Sequence, residues 1–183
     1  VEKKEIESLY IKMIRHMLDQ GFQAGSAMGT LHHLGYSMRD YYPSIFLMNR
    51  VLERNDLKEK LQQAMEWFAG TGEVKQQPLI SGMDVDTFNT NLMARLTSIL
   101  MMDSQPEKSR YLHAFSRWLE NGYQYADGTR GTFKIDGTMF HHRHHYPAYA
   151  VGGLQGSIEA VYLLRNTPFK ISEQSHRILK EAL

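Results

Sequence analysis

The chain contains no cysteine, which excludes disulfides and thiolate metal sites but leaves the compartment open. Proline is sparse, at five in 183 residues, so long helices are permitted. No apolar run approaches the length of a membrane span. Charge of one sign is also missing: 21 lysines and arginines face 20 aspartates and glutamates, a formal net charge of +1. That balance gives no footprint for nucleic acid or a membrane surface, and neither is expected as a partner. What is present is 42% hydrophobic and 22% charged residues, enough for one globular domain with a real core. The chain opens on Val1 within a helical pattern and closes on Ile178 to Leu183 in the middle of another. Both ends are expected to be cuts in a longer polypeptide.

Hydrophobic periodicity predicts a first helix over residues 4–19, with Ile6, Leu9, Tyr10, Met13, Ile14 and Met17 on its buried face and Gly21 as its stop. Residues 21–36 read as a Gly- and His-rich loop around His32-His33. A second helix is expected over 39–54 and a third over 57–68, capped by Asn55-Asp56 and ended by Gly70. Asp84 caps a stretch reaching Met102. Another helix follows Pro106, with Tyr111, Phe115, Trp118 and Leu119 inward, and stops at Asn121-Gly122. Residues 123–145 are turn-rich, with a short hairpin expected at 132–135 between two Asp-Gly-Thr turns. Helix resumes over 148–164 and again near Ser172. The pattern predicts an all-α fold with functional loops between helices.

One run holds the chemistry. Between Asp136 and Tyr149 lie His141, His142, Arg143, His144, His145, Tyr146 and Tyr149, with Gly152-Gly153 following. Three readings stay open on these residues alone. Imidazoles can bind zinc or copper, although no HExxH arrangement exists and Pro147 disfavours a helix through the run. The histidines can be solvated loop residues without a role. Or an imidazole and a phenol can share acid–base work: a tyrosine becomes a base when cationic neighbours stabilise its phenolate, and Arg143 and the imidazoles can supply them. A tyrosine that takes and then returns a proton suits an elimination. A second cluster, from Gly25 to Arg39, sets His32-His33 between glycines that allow close backbone approach.

The segments Gly25-Ser-Ala, His32-His33-Leu-Gly-Tyr-Ser-Met-Arg39, Gly131-Thr-Phe-Lys-Ile-Asp-Gly-Thr138, Tyr146-Pro-Ala-Tyr149 and Tyr162-Leu-Leu-Arg-Asn-Thr-Pro-Phe169, in that order, resemble the catalytic domain of broad-specificity chondroitin sulfate ABC lyases, polysaccharide lyase family 8. The resemblance runs from about Gly21 to the C-terminus. It implies a partial (α/α) toroid, residues 1–183 being part of the helical catalytic domain of a larger bacterial enzyme, periplasmic or secreted, whose remaining helical part and β-sheet domains lie outside this sequence. It implies β-elimination at a uronic acid of a glycosaminoglycan, chondroitin or dermatan sulfate, with the rest of its own polypeptide as a structural partner.

By position in the motifs, the resemblance assigns Tyr149 as base for glucuronate and acid to the leaving oxygen. His142 is the partner that binds or neutralises the carboxylate, and His33 is a candidate base for iduronate. His32, His141, Arg143 and Tyr41 are implied as substrate-side groups. No metal site and no required cofactor are assigned, although members of the family can carry a divalent cation such as calcium. Asp84 and Asp86 read as a helix cap and its first-turn charge, not as an oxygen-rich calcium loop. The chain departs from the family's Arg-His-Glu-Gly-Asn before Tyr-Pro-Gly-Tyr, having His-His-Arg-His-His before Tyr-Pro-Ala-Tyr. The family's catalytic Arg and Glu lie beyond Leu183, so these 183 residues alone are expected to be inactive or nearly so. Against this stand a carbohydrate-binding or structural helical module without turnover, and a metal-dependent hydrolase using the His cluster.

Overall fold

Leucine, isoleucine and methionine recur at helical spacing through most of the chain, and the computed structural model is mostly helical, as that spacing predicts. It describes residues 2–29 and 31–183, and the side chains of all of these but Leu31 and His32. The helices are α1 (Glu2–Asp19), α2 (Leu31–Met38), α3 (Tyr41–Leu47), α4 (Asn49–Glu53), α5 (Lys58–Ala69), α6 (Leu92–Leu100), α7 (Gln105–Gly122), α8 (Pro147–Leu164) and α9 (Glu173–Glu181). A 3-10 turn follows α5 at Thr71–Lys75, and a π-helical turn, Thr87–Asn91, runs into α6.

Two apolar clusters share α6. Ala94 and Met101 meet the N-terminal cluster of Ile11, Ile14, Tyr42, Ile45, Leu52, Leu61 and Met65. Leu92, Leu96 and Ile99 meet the second, built from Phe115 and Leu119 of α7, Ala160 and Leu164 of α8, and Ile178 and Leu179 of α9. A helix buried on nearly every side needs an apolar sequence all round, and Leu-Met-Ala-Arg-Leu-Thr-Ser-Ile-Leu supplies it. Its one charge, Arg95, is 2% exposed. The guanidinium donates to the Ala69 carbonyl at 2.9 Å, pairs with Glu73 and lies 4.8 Å over the Trp118 ring. These partners offset its desolvation.

The expected ends hold where the signal is local. Gly70 takes φ +60 and closes α5, and Ser172 accepts a backbone N–H at the start of α9; Ser104 does the same for α7, ahead of the expected start after Pro106. Other expectations change. Helix α1 buries Ile11, Ile14 and Leu18, leaving Ile6, Leu9 and Met13 more than half exposed. His33 lies on a helix, α2, and not in a loop. The helix expected over 39–54 breaks at Met48, whose carbonyl takes a tight three-residue bond from Val51. Asn55 does not cap α5. Its amide donates back to the Val51 carbonyl, and Asp56 turns the chain with φ +57.

Candidate active site on the hairpin and the π turn

The turn-rich segment makes its hairpin later than expected. Phe133 and Met139 form only an isolated bridge, and the paired strands are β1 (Phe140–His141) and β2 (His144–His145), with Phe140 opposite His145 and His141 opposite His144. His142 and Arg143 form the tip, at φ +50 and +69. Two left-handed residues are what a two-residue turn of the primed type requires, and Asn-Gly would be the comfortable choice. Keeping His-Arg there stores on the order of 1–3 kcal/mol per residue, a pattern that marks functional sites. The loop beneath is fixed. Thr132 donates to the Met83 carbonyl at 2.6 Å, and the largely buried Lys134 ammonium donates to the Ala126 and Arg130 carbonyls. The exposed Asp136 accepts from the Thr138 hydroxyl and N–H, which holds its carboxyl below the usual range.

The hairpin and the start of α8 gather the aromatic groups. Pro147 opens α8 and places Tyr149 in its first turn. The exposed His142 ring stands 6.2 Å from that of Tyr149 at an interplanar angle of 71°. His141 lies between them, 3.8 Å from His142 and 4.2 Å from Tyr149 by ring centroids. His144 stacks on Tyr146 at 5.2 Å, and Tyr146 meets Tyr149 edge-on at 4.8 Å. The four histidines therefore divide: His141 is buried, and the other three face solvent.

The π turn sets where these groups sit. A Cβ at Gly156 would lie 2.2 Å from the Phe88 carbonyl oxygen, and one at Gly152 would lie 2.8 Å from the Asn89 side chain. On the opposite side a Cβ at Gly35 would lie 2.5 Å from Thr90. The turn is thus clasped between α2 and α8, the helices that carry His33 and Tyr149, by backbone approach that only glycine permits. Insertion of a π turn into a helix is itself common at functional sites. From α2, the Tyr36 hydroxyl donates to Asp86 at 2.9 Å and accepts from Asn89 at 3.0 Å. Burial, then the hydrogen bond and charge of Asp86, push the Tyr36 phenol up to about 12.

The structure brings His142, Tyr149 and His141 together and ties the helix of His33 to the same turn. His33 is itself exposed, with no hydrogen bond to His142 or Tyr149 among the described residues. The His32 side chain lies outside the described residues. Arg143 is exposed at the hairpin tip. Tyr41 is 42% exposed at the start of α3, whereas Tyr42 is core, at 2%. A cavity of about 260 Å³ lies beside the hairpin, lined by Met83, Asp84, Arg130, His141, His142 and Arg143. A larger groove of about 700 Å³ between α8 and α9 is mostly apolar and does not include His142 or Tyr149. Size alone does not mark the chemistry here.

Among the described residues, Asp84, Asp86 and His141 form the one group whose donor atoms lie within 4.8 Å of one another. Calcium takes six to eight oxygen ligands. Two carboxylates and an imidazole do not match it. Moreover, the carboxylates approach different ring atoms, Asp84 facing Nδ1 at 3.4 Å and Asp86 facing Nε2 at 3.8 Å. One ion shared by three ligands needs them turned to one point, so the trio is better described as an imidazole clamped by two carboxylates.

A family described as "Lyase, catalytic" matches residues 1–183. The chain belongs to that family. Its curated relatives include a chondroitin sulfate ABC exolyase of Bacteroides thetaiotaomicron, 45% identical over 181 residues, 99% of this chain and 18% of that protein. A chondroitin sulfate ABC exolyase of Proteus vulgaris is 35% identical over the whole chain, and a chondroitin sulfate ABC endolyase of the same organism is 30% identical, each again covered over 18% of its length. The chain thus spans under a fifth of the relatives it matches.

For a lyase catalytic domain, the sequence reading omitted Tyr36, Asn89 and the clamp of Asp84 and Asp86 on His141. The acidic pair did carry a local signal, and its local role is present: an Asp84 carboxylate oxygen accepts the Asp86 N–H at 2.9 Å. Its approach to a histidine far along the chain is tertiary and leaves no mark in spacing.

Proposed function

We propose that this lyase catalytic domain is part of an incomplete (α/α) toroid in a longer glycosaminoglycan lyase that cleaves chondroitin or dermatan sulfate at uronic acids. The observation that carries the reading is the pairing of an exposed His142, held in a strained turn, with Tyr149 at the start of α8. In the reaction, Tyr149 as phenolate takes the C5 proton. The C5–H electron pair becomes the C4–C5 double bond, the C4–O4 bond breaks, and O4 leaves with a proton returned by the Tyr149 phenol. The C5 proton is weakly acidic because the carbanion forms beside a carboxylate. His142 offsets that charge, the main electrostatic task of such a site. Arg143, which borders the cavity, binds sulfate or carboxylate in this reading, a match its planar, permanently charged guanidinium supports.

Of the His32-His33 pair, His33 is the base for iduronate, whose C5 proton lies on the opposite face. Replacing both with Ala removes dermatan cleavage in preference to chondroitin cleavage, and equal loss on both substrates contradicts the assignment. The isolated 183 residues are inactive or nearly so, because the remaining charge-stabilising groups come from elsewhere in the parent. The deciding experiment follows ultraviolet absorbance of unsaturated uronate produced by the full-length parent. Product on chondroitin or dermatan, undiminished by a chelator, supports the reading. Binding without product would leave a carbohydrate-binding module in its place.

A further inference from the structure

His141 is 6% exposed, and neither ring nitrogen has a hydrogen-bond partner among the described residues. A buried polar group so placed needs a physical reason. Its nitrogens face two carboxylates, Nδ1 toward Asp84 at 3.4 Å and Nε2 toward Asp86 at 3.8 Å. Neutral imidazole carries one N–H and one lone pair, so in that form one carboxylate would face a lone pair. Imidazolium alone presents an N–H to each. The same ring also lies close to those of His142 and Tyr149, with centroids 3.8 and 4.2 Å away and planes tilted by 40° and 31°.

We propose that His141 is a positioning residue, a buried imidazolium clamped by Asp84 and Asp86, which holds the His142 and Tyr149 rings and offsets the charge on Tyr149 when that residue acts as base. This rests on the lyase reading of Tyr149 and deepens it. The groups facing the ring are Asp84 and Asp86 from the segment leading into the π turn, His142 from the hairpin tip, and Tyr146 and Tyr149 at the start of α8, and Arg143 lines the same cavity. Behind Asp86, the Tyr36 hydroxyl donates to the carboxylate and keeps it fixed. Without a cation at His141, the two carboxylates that face it would oppose phenolate formation on the neighbouring Tyr149. With one, the nearest full charge to the ring is positive.

The test uses the full-length parent and three variants, His141→Gln, His141→Arg and Tyr149→Phe, each checked for a cooperative thermal melt. A cation within about 4–6 Å moves a neighbouring ionisation by about 1–3 pH units. His141→Gln therefore shifts the ascending limb of the kcat–pH profile upward by about one unit and lowers kcat about 100-fold, with KM within about threefold. His141→Arg, a permanent cation, leaves the limb within about half a unit of wild type. If His141→Gln does not fold, the Arg variant carries the test: turnover within about tenfold of wild type supports the clamp, and a folded Arg variant that loses more than about 100-fold overturns it. An inert Tyr149→Phe with an unmoved limb in His141→Gln overturns the clamp alone. An active Tyr149→Phe overturns the reading of Tyr149 and the clamp's role with it.

Discussion

The ring of His142 stands 6.2 Å from that of Tyr149, nearly perpendicular to it, although one belongs to a hairpin tip and the other to a helix. Two elements must be fixed independently for this pair to form. Lys134 and Thr132 fix the hairpin, and the glycines of α8 fix the helix. In the proposed chemistry, His142→Ala leaves the base in place but removes charge stabilisation. It should lower kcat on chondroitin about 100- to 10,000-fold while the thermal midpoint of the parent stays near wild type. Unchanged kcat would remove His142 from the mechanism.

The hairpin tip trades stability for placement. Arg143→Gly relieves a left-handed residue and should stabilise the fold by about 0.5–1 kcal/mol, read as a higher denaturation midpoint. The same change should raise KM for the sulfated polysaccharide, because an exposed guanidinium beside the cavity is lost. Stability and affinity moving in opposite directions is the expected signature.

Close packing of α8 on the π turn predicts a cost for the smallest side chain. Gly156→Ala places a Cβ 2.2 Å from the Phe88 carbonyl oxygen, so backbone must shift. The expected destabilisation is about 1–3 kcal/mol in chemical denaturation. Turnover should fall with it, as Tyr149 rides on the same helix.

Helix-end signals hold at some positions and fail at others: Gly70 ends α5 as expected, whereas Asn55 turns back to the Val51 carbonyl and does not cap it. Gly70 and the start near Ser172 act through hydrogen bonds within a few residues, so their roles follow from position alone. Helix α1 carries two overlapping apolar stripes, and only the partner helices choose Ile11, Ile14 and Leu18 over Ile6, Leu9 and Met13. The hairpin was placed too early because its tip is His-Arg, which lacks the Asn-Gly signal of a primed turn. Nothing in Thr-Phe-Asn-Thr-Asn distinguishes a π turn from an α turn. Gly35, Gly152 and Gly156 let two helices close on that turn, and the presence of these glycines in the sequence does not announce that packing.

Alkaline stability carries its own sign. Tyr36 is pushed up to about 12 by burial and then by Asp86, and burial raises Tyr42 and Tyr123 in the same direction. In the unfolded chain a tyrosine loses its proton near pH 10. The folded state holds these protons more tightly, so their contribution is whole below pH 10 and is lost as pH rises above it. Denaturation midpoints should decline from about pH 10 upward, less steeply in Tyr36→Phe than in wild type.

The central claim is that Tyr149 moves the proton in an elimination at uronic acid. Its most direct test compares the full-length parent with Tyr149→Phe on chondroitin sulfate, following ultraviolet absorbance of unsaturated uronate at matched, folded concentrations. The account predicts product from the parent and a loss of at least about 1,000-fold in Tyr149→Phe, with polysaccharide binding retained. Product formed at a comparable rate by Tyr149→Phe would contradict it.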